Sequence, residues 1–299
     1  MKSAHGMKSA FWSVAKYVLA ITLLVFILRQ ADTGKVFGYM KKIPPFELVL
    51  SFVLITFAQI AAALRMRYLF RRSGLALNMR YSIILFYVGA FYNFLLPGGI
   101  GGDAYKVVLV RHRMNISTKQ GVHIMLADRA SGLCVIVFTM LGALMMMDLS
   151  ALIPHLNLLL CVAGAITFGC YLFFCKWLLK QNPATMVGAL PYSVGVQALW
   201  ISALLLICNG LASGDAYGIE YTVLYCAASI SGMLPVSVGG LGIKEMTYSH
   251  GAKLMGQYAH SGVDPERGIA ISLCIFFLML AASLPGLLWV NKVEKTNFS

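Results

Sequence analysis

The sequence predicts an all-α integral membrane protein: about six full transmembrane helices plus two re-entrant helical hairpins, arranged as an inverted-topology repeat. Three observations carry that expectation. Of the 299 residues, 59% are hydrophobic and only 12% charged, about half the charged share of a soluble domain, roughly 25%. Eight apolar runs account for nearly the whole chain, at about 20 residues per span. Finally, two Gly-rich breaks share one pattern and divide the runs into equivalent sets.

The first run, about residues 11 to 29, has basic flanks but no small-residue cleavage site, so it reads as a first helix and not as a removed signal peptide. The second, about 46 to 70, ends in Arg65, Arg67, Arg71, Arg72 and Arg80. Further basic groups lie at Lys2 and Lys8, at Arg111, Arg113 and Lys119, and at Lys176 and Lys180. A net charge of +13 would suggest nucleic acid for a soluble protein. Here the charges flank apolar runs and read as cytoplasmic topology signals that also meet anionic headgroups, with no nucleic-acid partner.

The third run, about 81 to 96, poses a problem of charge. If it crossed fully, Lys106, Arg111, Arg113 and Lys119 would lie opposite the Arg65 to Arg80 cluster, against the preference of short basic loops for the cytoplasm. A better solution has it enter from the cytoplasm, break at Pro97-Gly98-Gly99, and return as Asp103 to Arg111. Runs at about 120 to 147, 156 to 179 and 190 to 211 then cross. The seventh, about 219 to 234, enters from outside, breaks at Pro235 and returns through Gly242 to Gly251, and the eighth, about 267 to 290, crosses last. Asp148, Asp215, Glu220, Asp264 and Glu266 gather on the outer face, and both termini fall in the cytoplasm. The seven cysteines have no CxxC pair or metal-ligand spacing and are expected as buried, reduced thiols.

Laid over each other, Leu96-Pro97 through Lys106 and Leu234-Pro235 through Lys244 share L-P-x-x-[IV]-G-G-x-x-x-K, six matching positions without a gap. Each break is third in a set of four segments containing three crossings, and an odd number of crossings inverts the second copy. The whole chain, 1–299, thus reads as one membrane domain with a first repeat over 11–147 and a second over 155–290.

Proline ends each incoming helix, and Gly101, Gly102, Gly239 and Gly240 permit a tight reversal with close backbone approach. The returning half-helices aim free amides and positive dipole ends toward the membrane centre, which favours an anion. Lys106 and Lys244 add full charge there and are the first candidates to bind a phosphate. The competing reading has them snorkel to headgroups or pair locally with Asp103 or Glu245. Asp103 suits an N-cap or first turn, and Glu245 either does the same or couples a proton or cation. Asp128 and Arg129 interrupt an apolar helix, where charge is costly unless paired or facing a cavity. Arg129 is left between a structural pairing with Asp103 or Lys106 and substrate binding. His123, Tyr92 and Asn93 read as structural polar groups, the last two capping freed carbonyls. No catalytic residue, metal site or cofactor is expected, because HExxH, GxSxG and Walker patterns are absent from the sequence.

Asn93-Phe94-Leu95-Leu96-Pro97-Gly98-Gly99-Ile100-Gly101-Gly102-Asp103, the downstream Asp128-Arg129, and Leu234-Pro235 with Gly239-Gly240-Leu241-Gly242-Ile243-Lys244-Glu245 resemble the flippase-like transmembrane family of lysylphosphatidylglycerol synthases, over essentially the whole chain. The resemblance implies movement of aminoacylated phosphatidylglycerol between leaflets, or, as in stand-alone relatives, a place in a glycolipid, polyprenyl-linked or hopanoid pathway. Synthase activity is not implied, since the sequence stops at Ser299 shortly after its last helix. One departure is that Leu241 stands where the first copy has Asp103.

The expected function is a lipid flippase or scramblase of the bacterial inner membrane, not an enzyme, moving an anionic phospholipid or polyprenyl-phosphate-linked lipid. Lys106, Lys244 and Arg129 bind phosphate beside Gly101, Gly102, Gly239 and Gly240, while Asp103, Asp128 and Glu245 couple ions or position the basic groups. Two alternatives stay open at this point: a membrane-embedded lipid-phosphate transferase or hydrolase with Asp128 or Glu245 as general base, and a non-transporting accessory subunit. A homo-oligomer or a biosynthetic partner enzyme is compatible with each.

Overall fold

The computed structural model describes residues 32–95, 101–147, 149, 153–211, 217–233, 240–258 and 262–293. The expected first helix, both breaks at 96–100 and 234–239, and Gly239, Asp148 and Asp215 lie outside the described residues. Among the described residues every regular element is helical, and five stretches are long and apolar enough to cross a membrane: Pro45–Arg72, Thr118–Met146, Leu156–Leu178, Pro183–Gly210 and Pro265–Val290. They match five of the six expected crossings, and the multi-pass membrane class follows from them.

In chain order the helices are α1 (Thr33–Lys42), α2 (Pro45–Arg72), α3 (Met79–Leu95), α4 (Gly101–Met114), α5 (Thr118–Met146), α6 (Leu156–Phe173, continued by a π turn Phe174–Leu178), α7 (Pro183–Gly210), α8 (Gly218–Ser231), α9 (Ile243–Tyr258), α10 (Pro265–Ser283) and α11 (Pro285–Val293). Their ends follow local chemistry. Asp32, Ser117, Asn182 and Asp264 cap α1, α5, α7 and α10, each accepting a backbone amide hydrogen bond with its side chain. Proline opens α2, α7 and α10, where its missing amide costs nothing. Two features depart from the sequence expectation. The short helix α1 follows the first apolar run, and the last run is not continuous, because Pro285 starts α11 after a one-residue interruption at Leu284.

Helices α2 and α7 form the most extensive pair, and they lie antiparallel. Asn209 donates to Glu47 (3.2 Å), Ser51 to the Ala203 carbonyl (3.2 Å), and Arg65 to Ser193 (2.9 Å), so the start of one helix meets the end of the other. Small residues permit the close approach: a Cβ at Gly210 would overlap the Glu47 carboxylate, and one at Gly188 the Tyr68 hydroxyl. Two apolar cores flank this pair. One is built around Met66, Tyr81, Leu85, Val110, Ile124 and Tyr171, the other around Leu204, Tyr221, Leu224, Tyr248 and Ile271. The first is closed by α3 and α4, the second by α8 and α9.

All seven cysteines are free thiols, as expected, but Cys161 and Cys170 are exposed on α6 and not buried. That helix is mostly exposed, packing mainly against α5, and in a lipid-facing helix a small apolar thiol needs no protein cover.

Candidate functional site

Two chains of ion pairs run through the first half and meet at the adjacent residues Asp128 and Arg129. About 100° separates neighbours on a helix, so each faces a different partner. The Arg65 Nε donates to Asp128 Oδ1 (2.8 Å) and a terminal nitrogen to Oδ2 (3.2 Å), a bidentate pair, while the other terminal nitrogen donates to Ser193 Oγ. Arg65 and Asp128 are both buried, and a Cβ at Gly132 would sit 3.1 Å from the Arg65 guanidinium. Glycine at that position leaves the space the guanidinium fills.

On the other face of α5, Arg129 donates to Asp103 in the first turn of α4, and Lys106 Nζ donates to the same carboxylate from 3.1 Å. Arg129 therefore adopts the structural pairing with Asp103, and Lys106 pairs locally. Lys106 is only 4% exposed, and its ammonium lies 4.6 Å from the centre of the Phe86 ring, a cation–π contact of useful strength once water is excluded. Glycine again sets the geometry. A Cβ on Gly89 would overlap the Lys106 stem, and one on Gly102 would overlap the Gly89 carbonyl, so α3 and α4 touch backbone to backbone. Asn93 Oδ1 accepts the Gly102 amide hydrogen (2.9 Å). It caps an amide, where the sequence suggested a carbonyl.

The second half is built differently. Gly240 and Gly242 have φ of 85° and 87°, a left-handed backbone open to glycine at little cost. Glu245 is fully buried: one oxygen accepts the Gly242 amide hydrogen (2.6 Å) and the other accepts from the Ser272 hydroxyl (2.8 Å). Reaching back three residues to the first amide of the helix is the carboxylate half of a capping box. The Lys244 stem packs on two glycines, since a Cβ at Gly240 or Gly232 would come within 2.6 or 2.7 Å of its Cε. Among the described residues the Lys244 ammonium has no hydrogen bond or ion pair.

Between these two constellations lies a cavity of about 220 Å³, lined by residues of α2, α3, α7, α10 and the end of α8, among them Gln59, Phe86, Asn93, Trp200, Gly232 and Met279. Phe86 and Asn93 are the residues that hold Lys106 and Gly102, and Gly232 is the one against Lys244. The cavity thus touches the immediate neighbours of both lysines. Gln59 is 6% exposed, and its Oε1 has no hydrogen-bond partner among the described residues. A buried amide oxygen left unpaired costs about 1–3 kcal/mol, which makes Gln59 a place where an incoming donor is welcomed.

The description "Lysylphosphatidylglycerol synthase TM region" matches residues 13–181, more than half of the chain. The chain belongs to this lysylphosphatidylglycerol synthase TM family. Membership gives the protein a membrane-lipid role. No protein of curated function matches the chain. The family match covers the first ion-pair system entirely, apart from Ser193, and stops before Lys244 and Glu245.

Several residues of the site were not legible as such. Arg65 was grouped with the topology signals, although it differs from Arg71 and Arg72 in being buried. Gln59, Gly89, Ser193 and Ser272 carry no motif. The sequence does carry one further signal: the register that lays Lys106 on Lys244 also lays Asp128-Arg129 on Glu266-Arg267.

Proposed function

We propose that the protein is a flippase or scramblase that relocates lipids with an anionic phosphate headgroup between leaflets of the bacterial inner membrane, and that it carries out no chemical conversion. The observation that carries this reading is the cavity shared by the surroundings of Lys106 and Lys244. At about 220 Å³ it is smaller than the roughly 300–1,000 Å³ that encloses a drug-sized ligand. It suits a compact headgroup, with the tails left in lipid. Lys244 supplies a cation that has no ion-pair partner among the described residues, and Lys106 and Arg129 supply a second positive centre around Asp103. Gln59 accepts from a hydroxyl or ammonium on the same headgroup. Asp128 and Glu245 act as positioning groups, one fixing Arg65, the other the start of α9.

An inverted repeat over 11–147 and 155–290, with both termini cytoplasmic, accounts for how one site serves two faces. Its support is the pairing of helices. The equivalent helices α2 and α7 are antiparallel; α4 packs between α3 and α5 as α9 packs between α8 and α10; and α3 packs on α10 and α11 while α8 packs on α5. In this reading α3–α4 and α8–α9 are hairpins entering from opposite sides. They are held at membrane depth because protein and cavity satisfy their backbone.

The test is reconstitution of the pure protein in liposomes with leaflet-specific probes of anionic phospholipid and polyprenyl phosphate. Accelerated exchange of at least one, slowed in Lys244→Ala, is expected. Exchange no faster than in empty liposomes for every probe would overturn the proposal, and chemical alteration of a lipid would replace it with an enzyme.

A further inference from the structure

A second polar region lies at the end of the bundle where α2 finishes. One cavity there, about 450 Å³, is lined by Leu64, Arg67, Tyr68, Arg71, Arg72 and Tyr192. A neighbouring one, about 510 Å³, shares Arg72 and adds Lys119, His123, Lys180 and the capping residues Ser117 and Asn182 of α5 and α7. No Asp or Glu is among the described residues lining either. Five cations and two helix N-termini, whose free amides and dipoles favour anions, therefore surround two adjoining hollows.

The first hollow is a built one. Tyr68 and Tyr192 pack at a tilt of 33° with centroids 5.5 Å apart, and the Arg72 guanidinium lies over Tyr68 at 5.4 Å. The Tyr68 hydroxyl occupies the space a side chain at Gly188 would need. Arg67 is held by a 2.9 Å bond from its Nε to the Leu77 carbonyl, leaving its terminal nitrogens available. Below it an apolar track runs down α2 through Leu64, Phe57 and Val53, the last two 56% and 39% exposed. Alongside on α7, Gly188 and Gly195 present no side chain, and a Cβ at Gly195 would meet open space. Exposed apolar side chains on a membrane-spanning helix meet acyl chains.

We infer that these two cavities, which share Arg72 in their linings, form a second lipid site, distinct from the central cavity, for a lipid carrying two phosphates on a short bridge: one phosphate in each hollow, Arg72 between them, and acyl chains along the exposed apolar face of α2. Basic pockets between transmembrane helices are the usual seats of such headgroups. The two-hollow geometry selects two linked phosphates over one, and the apolar track selects a lipid over a soluble anion.

Binding is measured on the purified full chain in neutral detergent, by native mass spectrometry and thermal shift. The three probes are a tetra-acyl diphosphatidylglycerol, phosphatidylglycerol at twice the molar concentration, and inorganic pyrophosphate. The two-phosphate lipid is expected to bind about tenfold tighter than phosphatidylglycerol, with pyrophosphate giving no stabilisation. Each neutralised arginine is worth about fivefold, so Arg72→Gln should weaken the two-phosphate lipid by at least that factor. Arg72→Lys should retain most of the binding, and Arg80→Gln, outside both cavities, should not change it. Equal binding of the two lipids at equal phosphate would reduce the site to a general charge effect, and saturation by pyrophosphate would make it a soluble-anion site. Arg72→Gln behaving like Arg80→Gln would remove the site altogether. Since none of these probes reads exchange between leaflets, failure here leaves the central cavity's role to its own test.

Discussion

Lys106 and Lys244 hold the same place in two copies of one sequence pattern, near the starts of α4 and α9, yet their electrostatic company is opposite. Lys106 shares Asp103 with Arg129, so two cations surround one carboxylate, and the ammonium is pressed against Phe86. Lys244 lies on glycines, and the residue in Asp103's register is Leu241. Its neighbour Glu245 is occupied by the Gly242 amide and Ser272. The comparison teaches that the two copies of the sequence pattern keep the position of positive charge, but not the means of holding it. Among the described residues the first lysine is fixed by ion pairing, the second by close packing on glycine. For the proposed function, a cation with no counter-ion among the described residues is an advantage, since the headgroup must be both bound and released.

The largest difference between the halves should appear in stability. Asp128→Leu strands the buried Arg65 guanidinium and is expected to destabilise the fold by about 3–5 kcal/mol. The double variant Arg65→Met/Asp128→Leu should recover most of that loss, as read by detergent-solubilised melting. If the single variant melts like wild type, the first half is not anchored by this pair. Next come the reversals. Gly102→Ala drives a methyl into the Gly89 carbonyl and should cost more than about 1–3 kcal/mol, separating α3 from α4. Gly240→Ala meets the far end of a flexible lysine, so its cost is mainly the positive φ, about 1–2 kcal/mol. Reversal of that order would show the second half to be the tighter one.

The third contrast concerns lipid movement. Removing a charged hydrogen-bonding group is worth about 1.5–3 kcal/mol. On that scale Lys244→Ala should slow exchange in liposomes roughly 10- to 100-fold. Lys106→Ala should slow it less, because Arg129 stays on Asp103. Equal effects would mean that both lysines contact the headgroup directly. The smallest and most pointed change is Leu241→Asp, which gives Lys244 the acid its counterpart already has. A few-fold drop in exchange, about 1 kcal/mol as for a partly exposed ion pair, is expected and should be relieved by Leu241→Asn.

The all-helical class and the spanning helices are legible in the sequence, for a definite reason. A bilayer leaves backbone few options, so run length and charge placement nearly dictate the spans, and five of the expected crossings are found where the apolar runs lie. Helix α1 escapes a reading built on apolar runs because its ten residues are amphipathic and far too short to span a bilayer. The interruption before Pro285 was overlooked because the run stays apolar across it. The candidate site was legible in part. Lys106, Asp103, Asp128, Arg129, Lys244 and Glu245 stood out as charges at depth, where each needs a reason to exist. Their partners did not stand out, since a serine, a glutamine or a glycine in an apolar helix carries no such penalty.

Composition and pattern alone determined that this chain lives in the membrane, roughly where it crosses, and which charges interrupt or adjoin its apolar runs. Those are one-dimensional facts, set by the energy of transferring each residue into lipid. Only the tertiary structure decided that Arg65 leaves the basic cluster to hold Asp128, that Arg129 turns to Asp103, that Glu245 is spent on Gly242 and Ser272, and that Lys244 lies on glycine. Pairing depends on which helix faces come together within about 3 Å, and that distance is fixed by packing, not by sequence spacing.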